Sequence, residues 1–201
     1  MGVEDVFSAV QFLIDKKGLD PDNFVIMGNS AGAMISLSAE WEACNGRSGT
    51  GTRAPSSALS LAQAAGLPEG FHFKGVMSFA GAIMSLSGVP AYSRTPAPHL
   101  LIHGDKDGAV MFNKAAFGKY GMYGSNGLVQ SVFAKKGYTY HFYRFIGHSH
   151  DMASNMYYCM KEQLRFLEEE VILGRGRTID VKVNDPEMPV GEDIDLKQIY
   201  G

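Results

Sequence analysis

The stretch F-V-I-M-G-N-S-A-G, residues 24–32, combines a strand, a sharp turn and the start of a helix. Four apolar residues at 24–27 are typical of a short parallel strand buried on both faces. The Ala-, Met- and Leu-rich run at about 31–43 predicts a helix. Ser30 therefore falls on a strand-to-helix turn, where small residues two before and two after it, Gly28 and Gly32, relieve crowding. This pattern predicts a nucleophilic serine, with the Ala31 N–H facing a developing oxyanion at the helix N-terminus.

The segments around this turn alternate between helical and extended patterns. Helices are predicted at about 3–17, 109–121, 126–136 and 152–171, and further strands at 74–79, 99–103 and 138–145. Such alternation predicts an α/β fold, with a parallel sheet flanked by helices. Active sites in such sheets lie at the carboxyl ends of the strands, so we expect the catalytic side chains there.

Length and composition indicate one catalytic domain, at 1–174, followed by a polar tail. The chain has 201 residues, and 45% of them are apolar, as in a globular protein with a real core. Residues 45–60 are rich in Gly, Ser and Thr and predict a surface loop, a candidate lid over the site. Residues 175–201 are polar and have no clear periodicity, so we expect them to wrap the surface or to be partly disordered.

The charge and the apolar runs exclude several classes of partner. The net charge is −3 without a basic stripe, which argues against nucleic acid. No apolar run approaches the length of a membrane span, and residues 1–15 lack the pattern of a signal peptide. Cys44 and Cys159 have no neighbours at metal-ligand spacing. A disulfide between them is open, with two free thiols favoured. The sequence does not indicate a compartment.

Two later clusters supply candidates for the acid and the base that a nucleophilic serine requires. The stretch H-G-D-K-D-G-A-V at 103–110 offers Asp107 or Asp105 as the carboxylate. The stretch G-H-S-H-D at 147–151 offers His148 or His150 as the base. Both clusters follow predicted strands, in the chain order serine, acid, histidine. We expect His103 to order the acid loop rather than to act as a base.

Together, the stretches at 28–32, 103–110 and 147–148 resemble the α/β-hydrolase superfamily, in particular its carboxylesterase and lipase-like branch. The resemblance covers roughly residues 4–170. It implies a serine hydrolase that cleaves small-molecule carboxylic esters through an acyl-enzyme on Ser30, without metal or cofactor. It also implies Asp107 as the acid, since the family places it on the second carboxylate of H-G-x-x-D-x-x-V, and His148 as the base, since that histidine follows a glycine. Asp105 and His150 are the alternatives.

The resemblance is to the second half of that fold. In the family the nucleophile follows the fifth of eight strands, whereas here only 29 residues precede Ser30. We therefore expect a partial α/β-hydrolase fold that lacks the loop supplying the other oxyanion amides. The strand at 24–27 is expected at an open edge, covered by a second copy, the chain's own tail or another polypeptide. Two other functions remain open: a non-catalytic hydrolase-like module that needs a partner chain, and a serine peptidase.

Overall fold

The computed structural model describes residues 2–45, 60–86 and 88–191, which are built around a five-stranded parallel sheet. The described strands are β1 (Val25–Asn29), β2 (Gly75–Phe79), β3 (Ala82–Ser85), β4 (His99–Gly104), β5 (Lys114–Phe117), β6 (Tyr120–Gly124), β7 (Tyr140–Phe145) and β8 (Ile179–Val183). The parallel sheet has the order β1-β2-β4-β7-β8. The other three strands form a small antiparallel sheet in the order β3-β6-β5.

Helices cover both faces of the parallel sheet. The α-helices are α1 (Gly2–Lys17), α2 (Ala31–Asn45), α3 (Leu61–Ala64), α4 (Ser125–Leu128), α5 (Ala134–Lys136) and α6 (Met160–Phe166). A π-helical stretch, Val129–Phe133, joins α4 to α5, and another, Leu167–Ile172, extends α6. Short 3₁₀ turns lie at Pro21–Asn23, His150–Ala153 and Met156–Cys159.

Successive residues of the central strands face opposite layers of the core, as the period of a strand requires. Val76 and Leu101 pack with buried side chains of α1, α2 and the helix at 125–136. Met77 and Leu100 pack on the other face with Phe166 and its neighbours from the C-terminal helix. Both faces are buried, which explains why β2 and β4 are nearly uniform apolar runs. The predicted α/β class with a parallel sheet flanked by helices is confirmed, and the sheet is consistent with a partial α/β-hydrolase fold.

The predicted helix at about 109–121 is wrong. That segment instead contains β5 and the start of β6, which pair antiparallel and join β3 in the small sheet. Gly118, at the turn between them, has φ +57°, a left-handed conformation that suits a hairpin and that glycine adopts easily. The helix predicted at 126–136 is confirmed. Of the helix predicted at 152–171, only Met160–Phe166 is α-helical, since the turns before it are 3₁₀ and Leu167–Ile172 is π-helical.

The polar C-terminal segment contributes a strand that the sequence analysis did not anticipate. Ile179, Val181 and Val183 alternate with polar residues in β8, which pairs parallel to β7. β8 is therefore at the edge opposite β1, so the described part of the tail does not cover β1. Residues 46–59, most of the candidate lid, and residues 192–201 lie outside the described residues.

Strand β1 is an open edge within the described part of the chain. Its neighbour is β2, and no strand lies on its other side among residues 2–45, 60–86 and 88–191. Met27, in the middle of β1, is 49% exposed. A half-exposed apolar edge strand is a site for association, so its covering by a second copy or another polypeptide stays a prediction.

Two further expectations concern the cysteines and the membrane. Cys44 and Cys159 are both free and buried, as favoured from the sequence. None of the helices among the described residues is long and apolar enough to cross a membrane.

Candidate active site

Ser30 occupies the sharp turn between β1 and α2. Its φ of +49° lies in the left-handed region, which costs a non-glycine residue about 1–3 kcal/mol. Its backbone N–H donates to the Phe79 carbonyl at the end of β2 (2.9 Å), and its carbonyl accepts from the Met34 N–H (3.0 Å). These bonds on both sides hold the strained turn, which presents the half-buried Ser30 side chain at the carboxyl end of the sheet.

The two glycines that flank Ser30 are not equivalent. A Cβ atom on Gly28 would overlap the carbonyl group of Gly32 and lie 2.7 Å from the Ala33 nitrogen. A Cβ atom on Gly32 would meet only Asn29 Oδ1, at 3.9 Å. The expectation that small residues relieve crowding is therefore met at Gly28, where β1 and α2 approach closely. At Gly32, the described atoms leave room for a side chain.

A chain of hydrogen bonds joins Ser30 to a histidine and a carboxylate from other strand ends. Ser30 Oγ lies 2.8 Å from His150 Nε2, and His150 Nδ1 lies 2.8 Å from Asp107 Oδ2. Because Nδ1 faces a carboxylate, it carries the proton, and Nε2 is left with a lone pair that can accept the Ser30 hydroxyl proton. The three residues follow β1, β4 and β7, so they lie beyond the carboxyl ends of these parallel strands.

The Asp107 carboxylate is buried and accepts hydrogen bonds at both oxygens. Oδ1 accepts from the Ala109 and Val110 N–H groups, each at 2.9 Å. Oδ2 is bonded to His150 and also lies 3.1 Å from His103 Nε2. Burial acts to raise the pKa of Asp107, but hydrogen bonds from His103 and His150 outweigh it and hold that pKa well below its usual range. Asp107 is therefore an anion at neutral pH.

The structure brings His150, not the predicted His148, to Ser30. His148 Nδ1 instead lies 2.7 Å from Asp151 Oδ2, three residues along the chain. The His148 carbonyl accepts from the Lys106 N–H (2.9 Å) and packs against Gly104. The backbone of His148 is thus fixed on the end of β4, with its side chain satisfied locally by Asp151. His148 is corrected to His150, which was the alternative.

The alternative acid, Asp105, bonds the backbone of neighbouring residues and not His150. Its Oδ1 accepts from the Gly147 N–H at 2.8 Å, and its own N–H donates to the Phe145 carbonyl at 3.0 Å. Asp105 therefore joins the loop after β4 to the loop after β7. Asp107 is the carboxylate that meets His150, as the resemblance implies.

One contact that helps to place His150 was missed from the sequence. The side-chain amide of Asn29 donates to the Ala153 carbonyl at 2.9 Å, which links the residue before Ser30 to the turn that carries His150. The middle positions of a G-x-S-x-G pattern are unrestricted, so nothing in the sequence singled out Asn29.

Ala31 is the first residue of α2. The first amides of a helix have no partner within the helix, and the helix dipole favours negative charge there. Ala31 is exposed, and its N–H as an oxyanion donor stays a prediction. Met34, one turn on, packs with Val110 and Met122 in an apolar cluster formed largely by the small sheet.

One group of potential metal ligands was found among the described residues, at a distance along the sheet from Ser30. His141, Glu169 and Glu170 place ligand atoms within 4.8 Å of one another. His141 Nε2 is 3.1 Å from Glu170 Oε1, and Glu169 contacts both Arg165 and Arg177. Both carboxylates thus already have partners within the protein, Glu169 in the two arginines and Glu170 in His141 and the Arg177 N–H.

Comparisons with known proteins found similarity in structure alone. No family model matches the chain, and no curated protein matches it. The solved structures that match most of the chain include a truncated form of a carbohydrate esterase from gut microbiota (16% identity, TM-score 0.49, 81% of this chain and 66% of that chain). They also include a variant of SOBER1 from Arabidopsis thaliana (19%, 0.45, 81% and 63%) and an acetyl ester-xyloside bifunctional hydrolase from Caldicellulosiruptor lactoaceticus (15%, 0.48, 86% and 65%). The chain spans 63% to 66% of the length of these structures.

Proposed function

We propose that this chain is a serine hydrolase that cleaves carboxylic esters through an acyl-enzyme on Ser30. The observation that carries the proposal is the hydrogen-bonded series Ser30 Oγ, His150 Nε2, His150 Nδ1 and Asp107 Oδ2, with 2.8 Å at each contact. It starts from a serine held in the left-handed conformation between a strand and a helix. A serine, a base and an orienting carboxylate in this order are what nucleophilic catalysis by a hydroxyl requires.

In the proposed reaction, His150 Nε2 takes the hydroxyl proton as Ser30 Oγ attacks the ester carbonyl carbon. The carbonyl oxygen becomes an oxyanion, and the Ala31 N–H donates to it at the N-terminus of α2. The C–O bond to the alcohol then breaks, and His150 returns its proton to the leaving alkoxide. Water repeats the sequence on the acyl-enzyme, which releases the carboxylic acid and restores Ser30.

Asp107 supports this cycle by its charge and its position. It is an anion at neutral pH, because its pKa lies well below the usual range. It fixes the proton of neutral His150 on Nδ1 and stabilises the imidazolium that forms when Nε2 takes the second proton. The Ala109 and Val110 N–H groups hold the carboxylate in one orientation.

Turnover of p-nitrophenyl acetate tests the proposal. Ser30→Ala and His150→Gln should each lower kcat by about 10³-fold or more, as expected for members of a triad. His148→Gln is the matched control, since His148 lies two residues away in the same loop, is equally buried and has its own aspartate. It should keep most of the activity. Equal nitrophenol release by the wild type and by Ser30→Ala would refute the proposal.

Two further measurements separate the alternative functions. A fluorophosphonate probe should label the folded wild type at Ser30 and leave Ser30→Ala unlabelled. A folded wild type that does not label would indicate a non-catalytic module instead. A peptide p-nitroanilide cleaved faster than the ester would indicate a peptidase, since the same three side chains serve both reactions.

A further inference from the structure

A second histidine contacts the carboxylate of the proposed triad. His103 is fully buried on β4, and its Nε2 lies 3.1 Å from Asp107 Oδ2. The same carboxylate oxygen lies 2.8 Å from His150 Nδ1. Asp107 Oδ2 is therefore within hydrogen-bond distance of two imidazole rings.

The partners of His103 determine where its proton lies. Its Nε2 is within hydrogen-bond distance of two acceptors, Asp107 Oδ2 and the Val110 carbonyl (3.0 Å). A lone pair on Nε2 would face both oxygens without a proton between, so Nε2 must carry the hydrogen. The Nδ1 atom lies 2.9 Å from the buried Ser125 Oγ, whose hydroxyl can donate to it. His103 thus fits the site as a ring whose Nε2–H donates to Asp107.

We propose that His103 is a positioning residue that draws part of the Asp107 charge away from His150 and so tunes the pH range in which His150 can act as a base. This inference rests on the proposed function. The stabilisation that Asp107 gives to protonated His150 is electrostatic, and a second N–H on the same oxygen weakens it. Loss of the His103 donor should therefore change the pH dependence of the reaction at Ser30.

The titratable groups that the described residues place around His150 come from two loops. Asp107, with His103 behind it, belongs to β4 and the loop that follows, and His148 and Asp151 belong to the loop of His150 itself. His148 and Asp151 contact each other, with 2.7 Å between His148 Nδ1 and Asp151 Oδ2. A change at His103 therefore reaches His150 through Asp107.

The test is the pH dependence of fluorophosphonate labelling of Ser30 in the full chain. His103→Leu removes the donor, and the shorter His103→Asn places its amide near the Nδ1 position, toward Ser125. Both should raise the pH of half-maximal labelling by about one unit, a tenfold loss of rate on the acid side. His103→Gln, whose amide can reach the Nε2 position, should restore the wild-type profile. His99→Gln is the control, because His99 is buried at the start of the same strand and bonds the Ala97 carbonyl.

The possible outcomes separate the two proposals. A uniform loss of rate with an unchanged midpoint in His103→Leu or His103→Asn would overturn the inference, since it would mean a purely structural role. If His103→Leu does not fold, His103→Asn against His103→Gln carries the same comparison. NMR titration of the His150 ring in the Ser30→Ala background should show the same shift without any labelling. A shift there with no labelling of the wild type would remove the proposed function and keep the sharing of charge.

Discussion

The close approach of β1 and α2 predicts that Gly28→Ala damages the site far more than Gly32→Ala. A Cβ atom on Gly28 would overlap the Gly32 carbonyl group and lie 2.7 Å from the Ala33 nitrogen. These are backbone atoms, which cannot turn aside as a side chain can. Relief of the overlap requires the strand and the helix to separate by about 1 Å, and overpacking of this kind costs about 1–3 kcal/mol.

Ser30 lies on that junction, so the separation moves its Oγ away from His150 Nε2, now 2.8 Å distant. A displacement of about 1 Å in a catalytic geometry costs on the order of 10²-fold in rate. We expect this loss in Gly28→Ala, measured as the rate of fluorophosphonate labelling, together with a melting temperature lower by roughly 2–10 °C.

Gly32→Ala is the matched control within the same motif. Its Cβ atom would meet only Asn29 Oδ1, at the ordinary contact distance of 3.9 Å, and alanine suits a helix better than glycine. Its labelling rate and melting temperature should stay close to those of the wild type. Equal behaviour of the two variants, whether both active or both inactive, would refute the packing argument.

Three further predictions concern stability and association. Burial lowers the pKa of His99 to about 4, so between pH 6.5 and 4 the unfolded chain binds a proton that the folded chain does not. The free energy of unfolding should therefore decrease as the pH is lowered from 6.5 to 4, by at most about 3 kcal/mol. Urea titrations of His99→Gln should show a smaller dependence of this free energy on pH. Asp151→Asn removes the charge that bonds His148 Nδ1 and the Gly191 N–H and should cost about 1–3 kcal/mol; an unchanged urea midpoint would contradict this. Light scattering should show association through the β1 edge that Met27→Lys weakens, and a wild type that is monomeric at every concentration, with the edge open to water, would refute it.

The parallel sheet could be predicted because its strands depend on local patterns. The strands of 74–79 and 99–103 are apolar runs buried on both faces, and burial on both faces leaves few other structures for such runs. The small sheet could not be predicted in the same way. Its strands at 114–117 and 120–124 are short and rich in glycine and alanine. The second of them pairs with Ala82–Ser85, from Ser85 with Gly121 to Ala82 with Gly124, which are 36 and 42 residues apart. β8 was missed because its alternation covers only five residues in a polar segment.

The residues of the proposed triad lie within two positions of those predicted, and the difference concerns which histidine contacts which aspartate. The sequence G-H-S-H-D contains two histidines and one nearby aspartate. Asp151 lies three residues after His148, close enough to bond it within one turn, and the Ser149 N–H donates to the same carboxylate at 2.7 Å. His150 precedes Asp151 directly and is left for Asp107, 43 residues away. Asp151, as a partner for His148 three residues away, is the feature of the sequence that favours His150 as the histidine that contacts Asp107.

The arrangement of the proposed triad connects the open edge to the proposed chemistry. The acid and the base follow β4 and β7, which have strand neighbours on both sides, whereas Ser30 follows the edge strand β1. Within the described residues, Ser30 is held by the Phe79 carbonyl at the end of β2, by the Met34 N–H of α2, and indirectly by the bond from Asn29 to Ala153. Among the described residues, β1 has a strand neighbour on one side, which is β2. A polypeptide that covered β1 would therefore affect the position of Ser30 first, because Asp107 and His150 follow strands inside the sheet.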